Sequence, residues 1–347
     1  MLRPSASDSL PPEAGEGWGG GASNVPNLPP HTTIRILCDG RAGHEAQTLG
    51  IAQALGLMPD LRCIAPRPLY AALAPFTSPD PSDARAYAPP WPDIAIAAGR
   101  RTIPALRRLK RDSGGRTFTV YVNRPANGPG AADLIVAPRH DGFAGGNVVT
   151  PLTPANRITP ERLAAARAAP DPRIDALPRP RVALLVGGDS RRVAHAAKDV
   201  AQLAHIAESL IASGRGVMAT ASRRTLLALR EALRRVLAPP RGFFWDGEGE
   251  NPYLSMLASA DSIIVTGDSV NMVGEAIAAA APVHVVPAPG RRAKIDAYLA
   301  ALSDRGAIRL WSGALEEWSR APINATPDIA SAVARAYLAF AASRRNS

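Results

Sequence analysis

One stretch, residues 261–290, constrains the fold more than any other part of the chain, because it combines a strand, a polar loop, a helix and a second strand in one run. Short apolar, β-branched runs at residues 262–265 and 282–287 are typical of buried parallel strands. The residues between them have helical composition. Parallel strands joined through a helix are the repeating unit of α/β proteins, so this stretch predicts an α/β fold.

The loop between the first strand and the helix carries the chemistry of this stretch. Gly267, Asp268 and Ser269 precede the helix, where backbone N–H groups and the helix N-terminus favour an anion such as a diphosphate. Glu275 follows in the helix, and its carboxylate could accept hydrogen bonds from the vicinal hydroxyls of a ribose. The alternative is that Asp268 or Ser269 only caps the helix and that Glu275 is a solvated helix residue.

A second glycine-bearing loop follows the first predicted strand, residues 33–38. Asp39 and Arg41 lie in this loop, and Gly43 would allow the backbone to approach a ligand closely. Arg41 and His44 offer hydrogen-bond donors, and His44 could accept a proton near neutral pH. The loop is therefore a candidate anion site with a candidate general base, although a histidine at a helix start can equally be a structural donor.

Basic loops also follow three further predicted strands of the first half, at residues 93–97, 117–122 and 133–137. The carboxyl ends of parallel strands meet at one edge of an open sheet, where the crevice for a ligand lies. These loops are therefore predicted to form one basic, substrate-binding surface. Its members are Arg100, Arg101, Arg124, Arg139, His140 and Asp141. Alternatively, each arginine is an exposed loop residue without a ligand.

The second half repeats the pattern after a proline-punctuated linker at residues 171–181. Strands are predicted at 182–186 and 216–220, and polar loops with glycine or arginine follow both of them. The candidate phosphate- and nucleotide-binding residues of this half are Gly187, Gly188, Ser190, Arg192, Ser222, Arg223, Arg224, Asn251, Gly267, Asp268, Ser269, Met272 and Glu275.

Together the halves predict two Rossmann-like, doubly wound domains that face a cleft. We expect a disordered segment at residues 1–31, which is rich in Pro, Gly and Ser, and a first domain at 32–178. A second domain is expected at 179–327, and a terminal helix at 328–347 can pack back across the first domain.

Composition and motif content exclude several functional classes. The chain of 347 residues has a formal charge of +10, carried almost entirely by arginine, but aromatic residues make up only 5%, so nucleic-acid binding is not expected. The sequence lacks HExxH, DxD, GxSxG and P-loop motifs, and no metal or bound cofactor is expected. Neither a membrane span nor a signal peptide is predicted, which favours a cytoplasmic location. Cys38 and Cys63 are predicted to be buried free thiols.

The chain also contains a set of motifs in a fixed order: DGRAGHEAQTLG, PDIAIAAGRRT, APRHDG, GGDSRR, TASRRT, NPY followed by LASAD, and TGDSVNMVGEA. Together they resemble the mitochondrial fission protein family named after the elongated-mitochondria plant mutant, which has many bacterial members. The resemblance extends from Ile36 to about Leu310. The DGRAGH loop and the TGDSVNMVGEA helix are also similar to corners of the lipid II-forming N-acetylglucosaminyltransferase and its two-domain GT-B relatives.

The similarity to GT-B enzymes implies a nucleotide-sugar co-substrate in the second domain and an unknown glycan or lipid acceptor in the first. On the donor side, Glu275 would bind the ribose. The residues implied to bind the diphosphate are Gly188, Ser190 and Ser269. Arg192 or Arg224 would stabilise the charge of the departing diphosphate without a metal. On the acceptor side, His44 or Asp141 would be the general base.

Two functions of different classes follow from these resemblances. The first is a metal-independent glycosyltransferase that uses a nucleotide sugar in cell-envelope glycan or lipopolysaccharide assembly. The second is a non-catalytic scaffold with the GT-B shape, since the family implies that its plant members are peripheral mitochondrial factors that recruit a dynamin-related protein. A weaker third option is an adaptor that contacts the acidic lipids of an inner membrane through its arginine side chains.

Overall fold

The computed structural model describes residues 25–189, 196–222, 224–290 and 293–345. Within these ranges the chain forms two six-stranded sheets. The strands of the first sheet are β1 (Ile34–Cys38), β2 (Pro59–Cys63), β3 (Ile94–Ala98), β4 (Phe118–Val122), β5 (Leu134–Val136) and β6 (Val148–Val149). The strands of the second are β7 (Arg181–Val186), β8 (Gly216–Ala221), β9 (Gly242–Trp245), β10 (Ser262–Thr266), β11 (Val283–Val286) and β12 (Arg309–Leu310).

Helices connect these strands and cover both sheets. Those of the first half are α1 (Ala42–Ala54), α2 (Pro68–Leu73), α3 (Ala84–Tyr87), α4 (Ile103–Asp112), α5 (Pro160–Ala168) and α6 (Pro172–Asp175). Those of the second half are α7 (Ala197–Ala212), α8 (Leu227–Val236), α9 (Tyr253–Ser259), α10 (Val270–Ala278), α11 (Ala293–Ser303) and α12 (Thr326–Arg345).

Both sheets are parallel and doubly wound, as the sequence predicts. The strand orders are β2-β1-β3-β4-β5-β6 and β12-β11-β10-β7-β8-β9. In the first sheet β2 lies on one side of β1, and β3 to β6 follow on the other side, so the order of strands switches between β1 and β3. In the second sheet the same switch lies between β7 and β10. Ligands of such sheets bind beyond the carboxyl ends of the strands at this switch point. The loops after these four strands are therefore the positions where a site is expected.

The central strands are buried because helices cover both faces of each sheet. β1, β3, β4 and β7 have no exposed residue. Such strands have continuous apolar runs without polar alternation, which is why the sequence pattern identified them.

The last helix, α12, follows the second sheet in the chain but packs against α1, β4 and β5 of the first. Ile329 and Val333 are fully buried in the core of the first sheet. The rings of Tyr337 and Phe340 lie 6.1 and 5.3 Å from that of Phe118. Aromatic pairs at these separations are favourable, so this helix links the end of the chain to the first core.

Some sequence predictions of local structure are wrong. Residues 155–169 have a composition that predicts one helix, but α5 begins only at Pro160, because the Thr159 side chain caps it by accepting a hydrogen bond from the Arg162 N–H. The expected linker at 171–181 contains the short helix α6. The two-residue strands β6 and β12 were not predicted.

The proposed domain bounds stay a prediction. Val25 and Leu28, which fall within the segment expected to be disordered, are partly buried against the first core.

Candidate functional site

The first-domain side of the site is a hydrogen-bonded carboxylate–imidazole pair. Asp39 directly follows β1, and His44 lies in the first turn of α1. His44 Nδ1 lies 2.9 Å from Asp39 Oδ1, and their side chains are 21% and 4% exposed. Burial of Asp39 opposes its ionisation, but the hydrogen bond and charge of His44 and the charge of Arg41 outweigh this effect and lower the pKa of the carboxyl. The carboxylate can accept a hydrogen bond from Nδ1–H, and in the neutral form of the ring Nε2 is then the nitrogen that can accept a proton.

Gly99, the residue after β3, makes room for this pair. It has φ 92° and ψ 138°, a conformation that L side chains rarely adopt. A Cβ atom there would lie 2.8 Å from Asp39 Cγ and 2.9 Å from His44 Nδ1. The loops after β1 and β3 therefore meet at the first switch point through Asp39, His44 and Gly99. Sequence reasoning did not include Gly99 among the site residues, although a glycine between a strand and a helix is a recognisable signal.

The loops after β7 and β10 meet in the same way at the second switch point. Thr266 Oγ1 donates a hydrogen bond to Asp268 Oδ1 at 2.6 Å, and the Gly188 N–H donates to Asp268 Oδ2 at 3.0 Å. A Cβ atom on Gly187 would overlap the carboxylate of Asp268. The backbone amide expected to hold a phosphate thus holds an internal carboxylate in this structure, and a diphosphate there would have to displace Asp268.

Helix α10 begins directly after this loop and carries two predicted residues. Ser269 caps the helix, since its side chain accepts a hydrogen bond from the Met272 N–H at 3.4 Å. Glu275 is half-buried, and its Oε2 accepts a hydrogen bond from the Tyr253 hydroxyl at 2.9 Å. Burial raises the pKa of Glu275 to about 7, and the bond from Tyr253 only partly opposes this rise. Glu275 is therefore not the solvated helix residue that the alternative reading assumed.

The carboxyl end of α10 is fixed by Arg320. Its guanidinium donates hydrogen bonds to carbonyl oxygens at and beyond the end of the helix: Ala276 at 3.3 Å, Ile277 at 2.9 Å, Ala279 at 2.7 Å and Ala281 at 2.7 Å. Burial lowers the pKa of Arg320 to about 10, so the group stays charged at neutral pH. Satisfying these orphan carbonyls holds the helix that carries Glu275.

The two domains touch where these loops face each other. Gln47 of α1 donates a hydrogen bond through Nε2 to Asn271 Oδ1 of α10 at 2.7 Å. A Cβ atom on Gly43 would overlap the Asn271 amide. The start of α1, with His44, thus lies against the start of α10. The sequence-based site did not include Gln47 and Asn271, although they lie within the motifs DGRAGHEAQTLG and TGDSVNMVGEA.

A second bridge joins Asp141 and His140 of the first domain to α11. Lys294 Nζ lies 2.7 Å from Asp141 Oδ1. The His140 ring lies 5.0 Å from that of Tyr298, and burial lowers the pKa of His140. The Asp141 carboxylate is therefore engaged in an ion pair between the domains, and His44 is the better placed of the two predicted bases.

The predicted arginines converge only in part. Arg41 is exposed, with Nε 3.6 Å from Asp39 Oδ2. Arg100 donates a hydrogen bond to the carbonyl oxygen of Ala74 at 2.6 Å. Arg101 and Arg139 are exposed, and Arg124 donates to the Asp141 carbonyl oxygen at 3.1 Å.

The remaining predicted residues of the second domain have local roles or lie outside the described part. Arg224 is exposed and donates to the carbonyl oxygen of Asp189 at 3.2 Å. The Ser222 and Thr225 hydroxyls are 3.1 Å apart, and Asn251 Oδ1 accepts from the Tyr253 N–H. Met272 packs against the core of the second domain. Ser190, Arg192 and Arg223 lie outside the described residues.

The sequence profile of the mitochondrial fission ELM1 family matches residues 42–337, which is most of the chain. The chain belongs to this family. The resemblance expected from the ordered motifs is thereby confirmed. The ELM1-family chain is 28% identical over 276 residues to the mitochondrial fission protein ELM1 of Arabidopsis thaliana, and the match covers 72% of this chain and 65% of the plant protein. It thus spans less than two thirds of the length of this relative.

Solved structures of other proteins share the fold. UDP-GlcNAc 2-epimerase from Methanocaldococcus jannaschii superposes with a TM-score of 0.53 at 11% identity, over 89% of this chain and 99% of the epimerase. The same epimerase in complex with UDP-GlcNAc and UDP gives a TM-score of 0.53 at 12% identity, with the same coverage. At this identity the likeness establishes the fold alone. The predicted GT-B-like arrangement of two Rossmann-like domains is confirmed.

Two features are absent from the described residues of the ELM1-family chain. These residues include no group of three or more His, Cys, Asp or Glu residues placed to hold a metal ion. They also include no helix that is long and apolar enough to span a membrane. Independence from metals and cofactors stays a prediction.

Glu275 is expected to make the stability of the ELM1-family chain depend on pH. Its pKa is about 7 in the folded chain against an ordinary value of 4.5, so the folded state binds the proton more tightly. The resulting stabilisation is complete below pH 4.5 and is lost as the pH rises through 7; it amounts to roughly 2 kcal/mol, after allowance for partial exposure. Urea unfolding of the wild type and of Glu275→Gln at several pH values measures it.

The difference in unfolding free energy between the wild type and Glu275→Gln should change between pH 4.5 and 7. Every other titrating group is present in both proteins, so this change reports Glu275 alone. Glu208→Gln, on the exposed face of α7, is the matched control and should follow the wild type. If the unfolding free energies of the wild type and Glu275→Gln changed in parallel with pH, the environment of Glu275 would not raise its pKa.

Proposed function

We propose that this ELM1-family chain is a metal-independent glycosyltransferase, which binds a nucleotide sugar in the second domain and transfers the sugar to a glycan or lipid hydroxyl held by the first. One observation carries the proposal. The Asp39–His44 pair lies at the start of α1, which contacts the start of α10 through Asn271. A candidate base and a helix N-terminus of the kind that attracts anions thus face each other across two domains with the GT-B-like fold.

The donor would lie along α10. The helix N-terminus would attract the diphosphate, and the Gly188 amide would join it once Asp268 moves aside. Glu275 would receive the ribose hydroxyls on Oε1, since Oε2 already accepts from Tyr253. The epimerase with a similar fold is described with UDP-GlcNAc and UDP bound, so UDP-GlcNAc is the first donor to test.

The chemistry would need one proton transfer and one displacement. His44 Nε2 takes the proton of the acceptor hydroxyl as the acceptor oxygen bonds to the anomeric carbon of the sugar. The bond between that carbon and the diphosphate oxygen breaks, and the leaving diphosphate carries away the bonding electrons. Asp39 stabilises the resulting imidazolium, while the N-terminus of α10 and Arg224 stabilise the diphosphate.

Thermal unfolding in the presence of nucleoside diphosphates and nucleotide sugars tests the donor site. A ligand that binds only the folded chain stabilises it by RT ln(1 + [L]/Kd), which predicts a rise of about 2–5 °C at a ligand concentration of 100 Kd. We expect such a rise with one nucleotide. Glu275→Ala should abolish it, whereas Glu208→Ala on α7 should retain it. A rise of equal size in Glu275→Ala would place the nucleotide elsewhere.

A second candidate function is a non-catalytic scaffold. It is favoured by the internal contact of Asp268, which already satisfies the Gly188 amide expected to bind phosphate, and by the family membership. Absence of a thermal shift with every nucleotide tested would favour this function. Assembly with another protein and contact with a membrane would then be the properties to measure.

A further inference from the structure

Two cysteines end neighbouring strands at the base of the Asp39 loop. Cys38 and Cys63 are the last residues of β1 and β2, and they are paired in the parallel register. Both are free thiols, and their Sγ atoms lie 3.0 Å apart. Paired residues on adjacent strands have Cα atoms about 5 Å apart, which lies within the range that a disulfide spans. A disulfide between them would therefore need little movement of the backbone.

The two thiols differ in their access to solvent. Cys38 is 1% exposed, whereas Cys63 is exposed because β2 is an edge strand of the sheet. The sequence-based expectation that both are buried is therefore wrong for Cys63. Burial, together with the hydrogen bond to Cys63, raises the pKa of Cys38 to about 12, so its thiolate is scarce at neutral pH. A small oxidant in solution would consequently meet Cys63 first.

We propose that Cys38 and Cys63 form a reversible redox site, in which hydrogen peroxide converts the two thiols into a disulfide. Peroxide oxidises the Cys63 thiol to a sulfenic acid, and one water leaves. The Cys38 sulfur then attacks the Cys63 sulfur, and the displaced hydroxide takes up the proton of Cys38 as a second water. In sum, two thiols and one peroxide give one disulfide and two waters, and two electrons pass from sulfur to peroxide.

The position of the pair couples this reaction to the candidate site. Asp39, which holds His44, is the residue after Cys38 in the chain. A disulfide would tie the start of the Asp39 loop covalently to the edge strand β2. The redox site does not depend on the proposed function, because it is defined by the two thiols alone.

Peroxide treatment of the purified, reduced chain followed by alkylation and mass spectrometry tests the site. After a small excess of peroxide, the wild type should lose both alkylatable thiols, and a crosslinked peptide should join Cys38 to Cys63. Reduction with dithiothreitol should restore both thiols. Survival of both thiols, or a disulfide only between two copies of the chain, would overturn the proposal.

Two single variants separate the roles of the thiols. In Cys38→Ser, the sulfenic acid of Cys63 has no partner and should be trapped by dimedone, whereas the wild type should give little adduct. In Cys63→Ser, Cys38 should remain a thiol under the same treatment. Equal dimedone labelling of the wild type and Cys38→Ser would overturn the proposal, because Cys38 would then not resolve the sulfenic acid.

Discussion

Replacing His44 by asparagine is expected to lower the turnover number of sugar transfer about 10²–10⁴-fold, the range that a general base contributes. Asparagine cannot accept the proton of the acceptor hydroxyl, whereas the donor site on α10 is unchanged. The dissociation constant of the nucleotide should therefore stay within roughly twofold of the wild-type value. Release of nucleoside diphosphate measures turnover, and calorimetric titration measures binding.

His205→Asn, an exposed histidine on α7, is the matched control and should leave both quantities unchanged. Asp39→Asn should also lower turnover, because the carboxylate that fixes the ring and stabilises the imidazolium is lost. If His44→Asn keeps wild-type turnover, the Asp39–His44 pair does not perform the proton transfer.

Gly99→Ala is expected to lower the free energy of unfolding by about 3–5 kcal/mol. Part of this loss comes from the backbone conformation, which costs a non-glycine residue about 1–3 kcal/mol. The rest comes from the overlap of the new Cβ atom with Asp39, which forces the carboxylate or the loop to move. Because Asp39 then no longer holds His44, turnover should fall as well. Urea unfolding measures the stability.

Gly128→Ala separates the two contributions. Gly128 also has a positive φ, with φ 79° and ψ −170°, but a Cβ atom there would meet nothing within 4 Å. This variant should lose only the conformational part, about 1–3 kcal/mol, and should keep its turnover. Equal destabilisation by the two substitutions would show that the contact with Asp39 is not what requires glycine at position 99.

The sequence predicted the fold well because the central strands are buried on both faces and therefore appear as short apolar runs. Their alternation with helices indicated doubly wound sheets, and the loops at both switch points were recognised from their glycines and polar residues. The strands β6 and β12 escaped prediction because each has only two residues and neither is fully buried. The start of α5 was placed too early, because the composition of residues 155–159 also fits a helix, whereas the Thr159 side chain caps the helix at Pro160.

Contacts within the site were harder to predict, because they depend on where side chains point after folding. The sequence identified Asp39 and His44 separately, but nothing local showed that they pair beside Gly99. Asp268 was assigned to phosphate, whereas its carboxylate turns back onto Gly188. The bond between Gln47 and Asn271 depends on how the two domains are placed, and residues 224 positions apart carry no sequence signal for it.

The most direct test of sugar transfer is the release of nucleoside diphosphate by the wild-type chain. The assay contains a chelator that removes metal ions, UDP-GlcNAc or another nucleotide sugar as the donor, and a glycan or lipid as the acceptor. We predict release that requires both donor and acceptor, persists without metal and is lost in His44→Asn. Absence of release from any donor, under conditions in which a nucleotide binds at Glu275, would contradict the proposed transfer and leave a nucleotide-binding scaffold as the function of this fold.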